Sequence, residues 1–383
     1  MKKLFLRIAD YIRSTDKLLA LLIVVICGFG ITVLAGVVKT FSSTNSLLVV
    51  QLSAMGIGFL AALVLSCMDY HLTAKLWKLY VPLAIGLVAL TFFIGAQRGG
   101  ADDKAWIMLP GGISIQPTEF MKIAFILTFS LHLQAVSHKI NSVLHVLLLC
   151  LHAAVPVLLI HYQGDDGTAL VFFVIFLMML FCSGISWKYI VLALLLVAAA
   201  LPVMWLYVLN DDQRLRFISL LNPGIDPLGV ELQQAQARIS IGSGRWFGVG
   251  LFSGEHRYVP EIQNDFIFTF IGEALGFVGC FCVLLLLALL CVKILMVGRR
   301  SRDLLGRNIC IGVFAMLAVQ TILNVGMNLS LLPVIGVTLP FFSAGGSSIL
   351  TVLMGIGLVQ SVYMHNSVGM FDPKDETPGP AHR

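Results

Sequence analysis

Charge is scarce in this chain: Asp, Glu, Lys and Arg make up 12% of its 383 residues. A soluble domain carries about twice that share. An ordinary water-soluble enzyme would have to hide every apolar run in one core, and the runs are too many and too evenly spaced for that. There is no long basic run and the formal net charge is only +5, so the sequence offers nucleic acid no binding surface. The eight cysteines lack zinc-ligand spacing; Cys280 and Cys282 alone are close, as C-x-C, and all eight read as small buried hydrophobes. The nine histidines form no clean ligand pairs, and none is assigned to a metal. No internal repeat is visible, which leaves an inverted-repeat transporter without support.

What the chain has is apolar sequence. Hydrophobic residues make up 58% of it, in repeated runs of roughly 18 residues or more, the length that crosses a bilayer. Ten spans are expected: Leu18–Val38, Ser46–Cys67, Leu79–Ala96, Glu119–Ala135, Ser142–His161, Thr168–Phe181, Tyr189–Leu209, Phe266–Met296, Asn308–Ser330 and Gly345–Tyr363. The sixth is short, and the eighth is long enough to tilt or project. The first run follows Lys2, Lys3, Arg7 and Arg13, as in a signal peptide. It is long for a signal core and is one of many, so it reads as a retained span. The expected fold is an all-α, polytopic helical membrane bundle. Residues 1–17 form a cytoplasmic segment, 18–366 the membrane domain, and 367–383 a disordered cytoplasmic tail containing three prolines.

The basic residues orient this bundle. With the N-terminus in the cytoplasm, 16 of the 25 Lys and Arg fall inside, including Lys293, Arg299, Arg300, Arg302 and Arg307. Both termini are then cytoplasmic. Two long segments lie outside, Gln97–Thr118 and Asn210–Asp265, the latter between spans seven and eight. Inner loops are short and plain. Function is carried on loops held by a scaffold more often than in tight connections, so the chemistry is expected at the outer face.

Ionisable residues in or beside a span are costly and therefore functional candidates. Glu119 and Lys122, three apart, share one helix face, either as a working pair or as a self-satisfying ion pair. Asp265 ends the large outer loop at the membrane edge. There a carboxylate can act as general base or hold a divalent cation; alternatively Asn264 or Asp265 simply caps the eighth span. Thr269 and Glu273 continue the stripe. Gln320, Asn324 and Asn328 form a second stripe, of the kind that hydrogen-bonds helices together. The turn Ser343-Ala344-Gly345-Gly346-Ser347-Ser348 can present N–H groups to an anion or be a plain turn and cap. Ile241-Gly242-Ser243-Gly244-Arg245 is an oxyanion nest or a flexible bend.

Taken together and in order, these segments resemble the SEDS family (shape, elongation, division and sporulation; the RodA, FtsW and SpoVE group) over nearly the whole chain. Trp106-Ile107 and Gln116-Pro117-Thr118-Glu119-Phe120-Met121-Lys122-Ile123 resemble its outer loop and Q-P-[ST]-E-x-x-K-I helix start. Asp165 with Gly167-Thr168-Ala169-Leu170 resembles D-x-G-T-A-L. Gln213-Arg214, Arg216, Leu221-Asn222-Pro223, Asp226-Pro227-Leu228-Gly229, Gln233, Gln236 and Ile239-Ser240-Ile241-Gly242-Ser243-Gly244 resemble the large loop. Pro260-Glu261 and Asp265-Phe266-Ile267-Phe268 resemble P-E-x-x-T-D-F-I-F, whose Asp is the family's essential acid. Asn324-x-Gly326-Met327-Asn328 and Leu339 to Ser348 resemble the ending. The Asn-Pro…Asp-Pro-Leu-Gly stretch leans towards the RodA branch over FtsW, and Gly248-Val249-Gly250-Leu251 leans back a little. The chain departs from the pattern at Asn264, Arg245 and Ala344, where the family has Thr, Gly and Tyr, and the basic pair before Trp106 is reduced to Lys104-Ala105.

The resemblance implies a peptidoglycan glycosyltransferase in the bacterial cytoplasmic membrane, polymerising lipid II at its outer face. Asp265 would be the catalytic acid. Substrate contacts would come from Trp106, Glu119, Lys122, Asp165, Thr168, Arg214, Arg216, Gln236, Ser243, Ser343, Gly345, Gly346 and Ser347. It also implies dependence on a divalent cation (Mg or Mn) with ligands unspecified, and a class B penicillin-binding protein transpeptidase as partner. Two other functions fit the polar stripes: a flippase or transporter for the same lipid, and a non-catalytic membrane scaffold for a transpeptidase.

Overall fold

The computed structural model describes residues 10–41, 46–96, 104–109, 113–209, 211–222, 224–225 and 231–367. The expectations for residues 1–9, for Pro223 and the motif at 226–229, and for a disordered tail over 368–383 lie outside the described residues.

Helices α1 (Lys17–Phe41) and α2 (Ser46–Cys67) are followed by a short α3 (Tyr70–Lys75) and by α4 (Trp77–Ile94). A small antiparallel hairpin, β1 (Ile107–Leu109) and β2 (Ile113–Ile115), pairs Ile107 with Ile115. It leads into α5 (Pro117–Val136), α6 (Val143–Tyr162), α7 (Asp166–Cys182) and α8 (Trp187–Val203), which continues as a π turn over Met204–Val208. Then come α9 (Asp211–Leu221), α10 (Leu232–Ser243), α11 (Ile267–Arg299), α12 (Leu304–Asn328) and α13 (Gly346–Ser367). Among the described residues nine helices are long and apolar enough to cross a membrane, and α7, at 17 residues, is the short sixth span. A helix therefore stands at each of the ten expected positions, nine of them of spanning length, with ends displaced by a few residues.

Helices α5, α12 and α13 form the centre and are mostly buried. In a bilayer such packing relies on close contact between small residues rather than on a hydrophobic driving force. A Cβ on Gly357 of α13 would lie 2.6 Å from Ala62 Cα of α2, so only glycine permits that approach. By contrast, α8 contains no buried residue. The segments assigned to the inner side gather at one end of the bundle. Lys293 Nζ pairs with Asp16 at 2.6 Å, Tyr70 donates to Asp303 at 2.8 Å, and Ser361 donates to the Met68 carbonyl.

Two features differ from the sequence reading. The segment over 210–265 is not all loop, since α9 and α10 lie within it. The eighth span is broken rather than merely long: Gly276 sits at φ 65°, ψ −162°, inside α11. A break at membrane depth frees backbone groups that must find partners inside the protein. Residues 245–250 supply them. Val249 N and Gly250 N donate to the carbonyls of Glu273 and Ala274, while Phe277 N and Val278 N donate to those of Arg245 and Trp246. Gly242 and Ser243 end α10, and the segment that follows, residues 245–250, plugs the helix break instead of bending freely. Arg245 takes φ 49° there, which gives a physical reason for glycine at this position of the family pattern.

Candidate active site

The site is built where the long loops meet the bundle. Asp265, half-buried, closes the loop before α11. The N-cap position of α11 is Phe266, which makes no side-chain capping bond. Instead Asn328 of α12 caps the helix from outside, its Oδ1 accepting from Thr269 N at 3.0 Å and Thr269 Oγ1 at 2.7 Å. The expectation that Asn264 or Asp265 occupies the cap position is therefore corrected; Asn264 Nδ2 donates to Glu261 Oε2.

Three consecutive main-chain carbonyls around Asp265 are held by other elements. Gln263 O accepts from Ala344 N, Asn264 O from Ser343 Oγ, and Asp265 O from both Asn324 Nδ2 (2.8 Å) and Asn328 Nδ2 (2.9 Å). Facing the carboxylate is the loop over 334–337. A Cβ on Gly336 would lie 3.8 Å from Asp265 Oδ2, and Gly336 has φ 74°. Asn324 Nδ2 also donates to Val337 O.

The same loop joins the other expected site residues. Arg216 Nη1 donates to Val334 O at 3.0 Å. Gly167, at the start of α7, packs against Ile335 O so closely that a Cβ would lie 2.2 Å from it. Beside it Asp165 caps α7, Oδ1 accepting from Thr168 N, while Oδ2 accepts from Gln116 Nε2 at 2.8 Å. Burial pushes the Asp165 carboxyl above its ordinary range, against the Thr168 N–H and hydroxyl that favour its charged form. Gln116 N in turn donates to Ser347 Oγ. One turn further along α5, Lys122 and Glu119 are both buried and paired at 2.8 Å. With its amide turned to satisfy its neighbours, Gln320 accepts from Lys122 Nζ at 2.9 Å and donates to Met316 O. Glu119 Oε2 has no partner.

Several other candidates are engaged elsewhere. Arg214 donates to the carbonyls of Trp205 and Leu206, closing the π turn, and contacts Asp211. Ser243 is exposed and bonds back to Ser240 O. Gln236 keeps a buried, unpartnered Oε1. The Trp106 carbonyl accepts from Ala96 N beside the hairpin. Gly345 N donates to Gln51 Oε1 and Gln51 Nε2 to Ser343 O, so the turn before α13 spends these groups within the protein. Gly346 opens α13, where a Cβ would make ordinary contact with Ala54. Glu273 accepts from Ser240 Oγ and Arg257 N and lies 3.5 Å from His256, which takes it away from the Asp265 stripe.

Sequence reasoning passed over Gln51 and Gly336. Gln51 had a signal, as a polar side chain inside an apolar span; Gly336 had none, because only the folded loop turns it towards Asp265. Among the described residues no three His, Cys, Asp or Glu side chains converge on a metal position. Magnesium needs fewer, being held by one or two carboxylates together with substrate phosphates, and Asp265 beside the 334–337 loop fits that manner of binding.

A family model described as cell cycle protein, of the FtsW, RodA and SpoVE type, matches residues 14–368. Peptidoglycan glycosyltransferase MrdB of Escherichia coli (strain K12) is 36% identical over 297 residues, 76% of this chain and 78% of that protein. Stage V sporulation protein E of Bacillus subtilis (strain 168) is 34% identical over 317 residues, 82% of this chain and 85% of that one. A chain of a peptidoglycan synthase complex, solved for its coordination of polymerization and crosslinking, superposes with TM-score 0.80 at 28% identity. It covers 92% of this chain and 99% of its own length. Rod shape determining protein RodA of Thermus thermophilus superposes with TM-score 0.68 at 26% identity, covering 92% and 98%.

Proposed function

The chain belongs to the FtsW, RodA and SpoVE family of cell cycle proteins, and we propose that it is a peptidoglycan glycosyltransferase that polymerises lipid II. The observation that carries this reading is the fixing of Asp265. A half-buried carboxylate stands at the edge of a membrane bundle, its backbone clamped by two buried amides and its side chain facing the loop that also meets Arg216 and the start of α7.

The reaction makes two demands on such a site. The 4-hydroxyl of the acceptor sugar must lose its proton as its oxygen bonds to the donor's anomeric carbon; Asp265 takes that proton. The bond from that carbon to the lipid diphosphate breaks, and the leaving diphosphate carries away the electron pair. Cationic groups stabilise it, and Lys122 and Arg216 are the chain's candidates. A divalent cation at Asp265 would add positive charge opposite the diphosphate. The reading extends to a bacterial cytoplasmic-membrane protein with both termini inside, the active site outside, and a class B penicillin-binding protein as crosslinking partner. The neighbouring chain solved within a synthase complex that couples polymerization to crosslinking supports that partner.

The test is purified protein, divalent cation and labelled lipid II, without ATP. Glycan strands are expected. Movement of lipid II across vesicles without polymer would make the chain a flippase, and neither activity, in folded protein, would make it a scaffold.

A further inference from the structure

We infer that Asn324 and Asn328 are positioning residues for the carboxylate of Asp265, an inference that rests on Asp265 being the reacting acid. Four apart on a helix, polar residues of this kind ordinarily bond to side chains of a neighbouring helix. These two do something else. Both are fully buried, and both direct an amide N–H at the same acceptor, the main-chain carbonyl of Asp265, at 2.8 and 2.9 Å.

Their remaining capacity goes to the two walls of the site. Asn324 Nδ2 also donates to Val337 O at 2.7 Å, next to Gly336, the residue that faces the Asp265 carboxylate. Asn328 Oδ1 accepts from the N–H and hydroxyl of Thr269, which fixes the first turn of the half-helix that Asp265 precedes. Asn328 Nδ2 ties back to Asn324 O. One rigid helix thus sets three things at once: the acid's backbone, the loop opposite its side chain, and the direction of the helix behind it. A general base must hold its proton acceptor within a few tenths of an ångström of the reacting hydroxyl, and misplacement of about 1 Å costs on the order of 100-fold in rate.

The experiment measures initial rates of lipid II polymerisation by purified wild type, Asn324→Leu and Thr269→Val, with thermal midpoints taken in the same detergent. Asn324→Leu keeps the size and removes both donations. It is expected to lower kcat by roughly 10- to 100-fold while KM for lipid II stays within about twofold, because the asparagine touches the acid and not the substrate. Thr269→Val removes one of the two bonds that orient Asn328 and is expected to lower kcat several-fold in the same pattern. A folded Asn324→Leu with wild-type kcat, or a loss that appears equally in KM, overturns the inference. Should Asn324→Leu fail to accumulate, unchanged kcat in Thr269→Val overturns it instead. Asp265→Asn is measured in parallel. If it polymerises normally, the assignment of Asp265 falls and this inference with it. If it is inactive while Asn324→Leu is fully active, only the positioning role falls.

Discussion

Lys122 Nζ lies 2.8 Å from Glu119 Oε1, with the two side chains only 2% and 5% exposed. Removing one partner leaves a buried, uncompensated charge, a loss of about 3–5 kcal/mol. Lys122→Met is therefore expected to lower the thermal midpoint sharply, and the double variant Glu119→Gln/Lys122→Met to recover most of the loss. If Lys122 also meets the leaving diphosphate, the refolded double variant still polymerises poorly. Near-normal polymerisation by that variant would reduce the pair to a structural role.

The break in α11 makes an opposite pair of predictions for two positions. A Cβ on Gly276 would lie 2.6 Å from both Gly248 N and Phe247 N, at a backbone conformation only glycine takes easily. Gly276→Ala should destabilise by about 1–3 kcal/mol, as overpacking does. Arg245 already sits at φ 49°, so Arg245→Gly relieves strain and should hold or raise the thermal midpoint. Thermal unfolding in detergent checks both, and a stabilised Gly276→Ala would contradict the plug of residues 245–250.

Much of this architecture was legible beforehand. Span length is a property of composition, so the expected second span coincides with α2 at Ser46–Cys67, and the other expected spans overlap helices whose ends differ by a few residues. The break at Gly276 was not, because a lone glycine in an apolar run carries no local sign of a plug arriving from residues 245–250. At the site, Asp265, Asp165, Glu119 and Lys122 stood out as acids and bases beside apolar sequence. The role of Asn324 was hidden for a different reason: spacing shows which face it shares with Asn328, but not that this face meets the carbonyl of Asp265. Arg214 reads as a loop cation in the sequence, whereas the carbonyls it serves, those of Trp205 and Leu206, belong to the last helical turn before the chain leaves the span, where carbonyls need outside donors.

Topology gives a separate test. In the proposed orientation Gly254 faces outward and Ser301 faces the cytoplasm, where Ser301 sits beside Asp303. A membrane-impermeant thiol reagent applied to intact cells should label a cysteine placed at Gly254 and miss one at Ser301. Labelling of both, or only of Ser301, would sink the orientation.

Asp165 supplies a pH dependence. Burial raises its folded pKa above the ordinary 3.8, so between that value and the raised one the folded chain holds a proton the unfolded chain has lost. Stability is then lost as pH rises through this window. Asp165→Asn cannot ionise and is nearly the same size. Its thermal midpoint, relative to wild type, should therefore rise as pH climbs above about 4 and level off once the folded carboxyl ionises. A flat difference would mean that the carboxylate is fully compensated by Gln116 and Thr168.

The most exacting prediction concerns Asp265→Asn. The substitution keeps size and shape, and it leaves untouched the main-chain carbonyl that Asn324 and Asn328 hold. The helix behind it is capped by Asn328 through Thr269, so folding has little reason to suffer. What the change removes is the basic oxygen. Polymerisation should fall by about 100-fold or more, the scale of a lost general base, with an unchanged thermal midpoint. Glu261→Gln is the control, since Glu261 accepts from Asn264 Nδ2 and has no assigned part in the reaction; it should retain far more activity. Lipid II polymerisation by Asp265→Asn at close to the wild-type rate would move the chemistry to Glu119 or Asp165, the remaining buried carboxylates of the site.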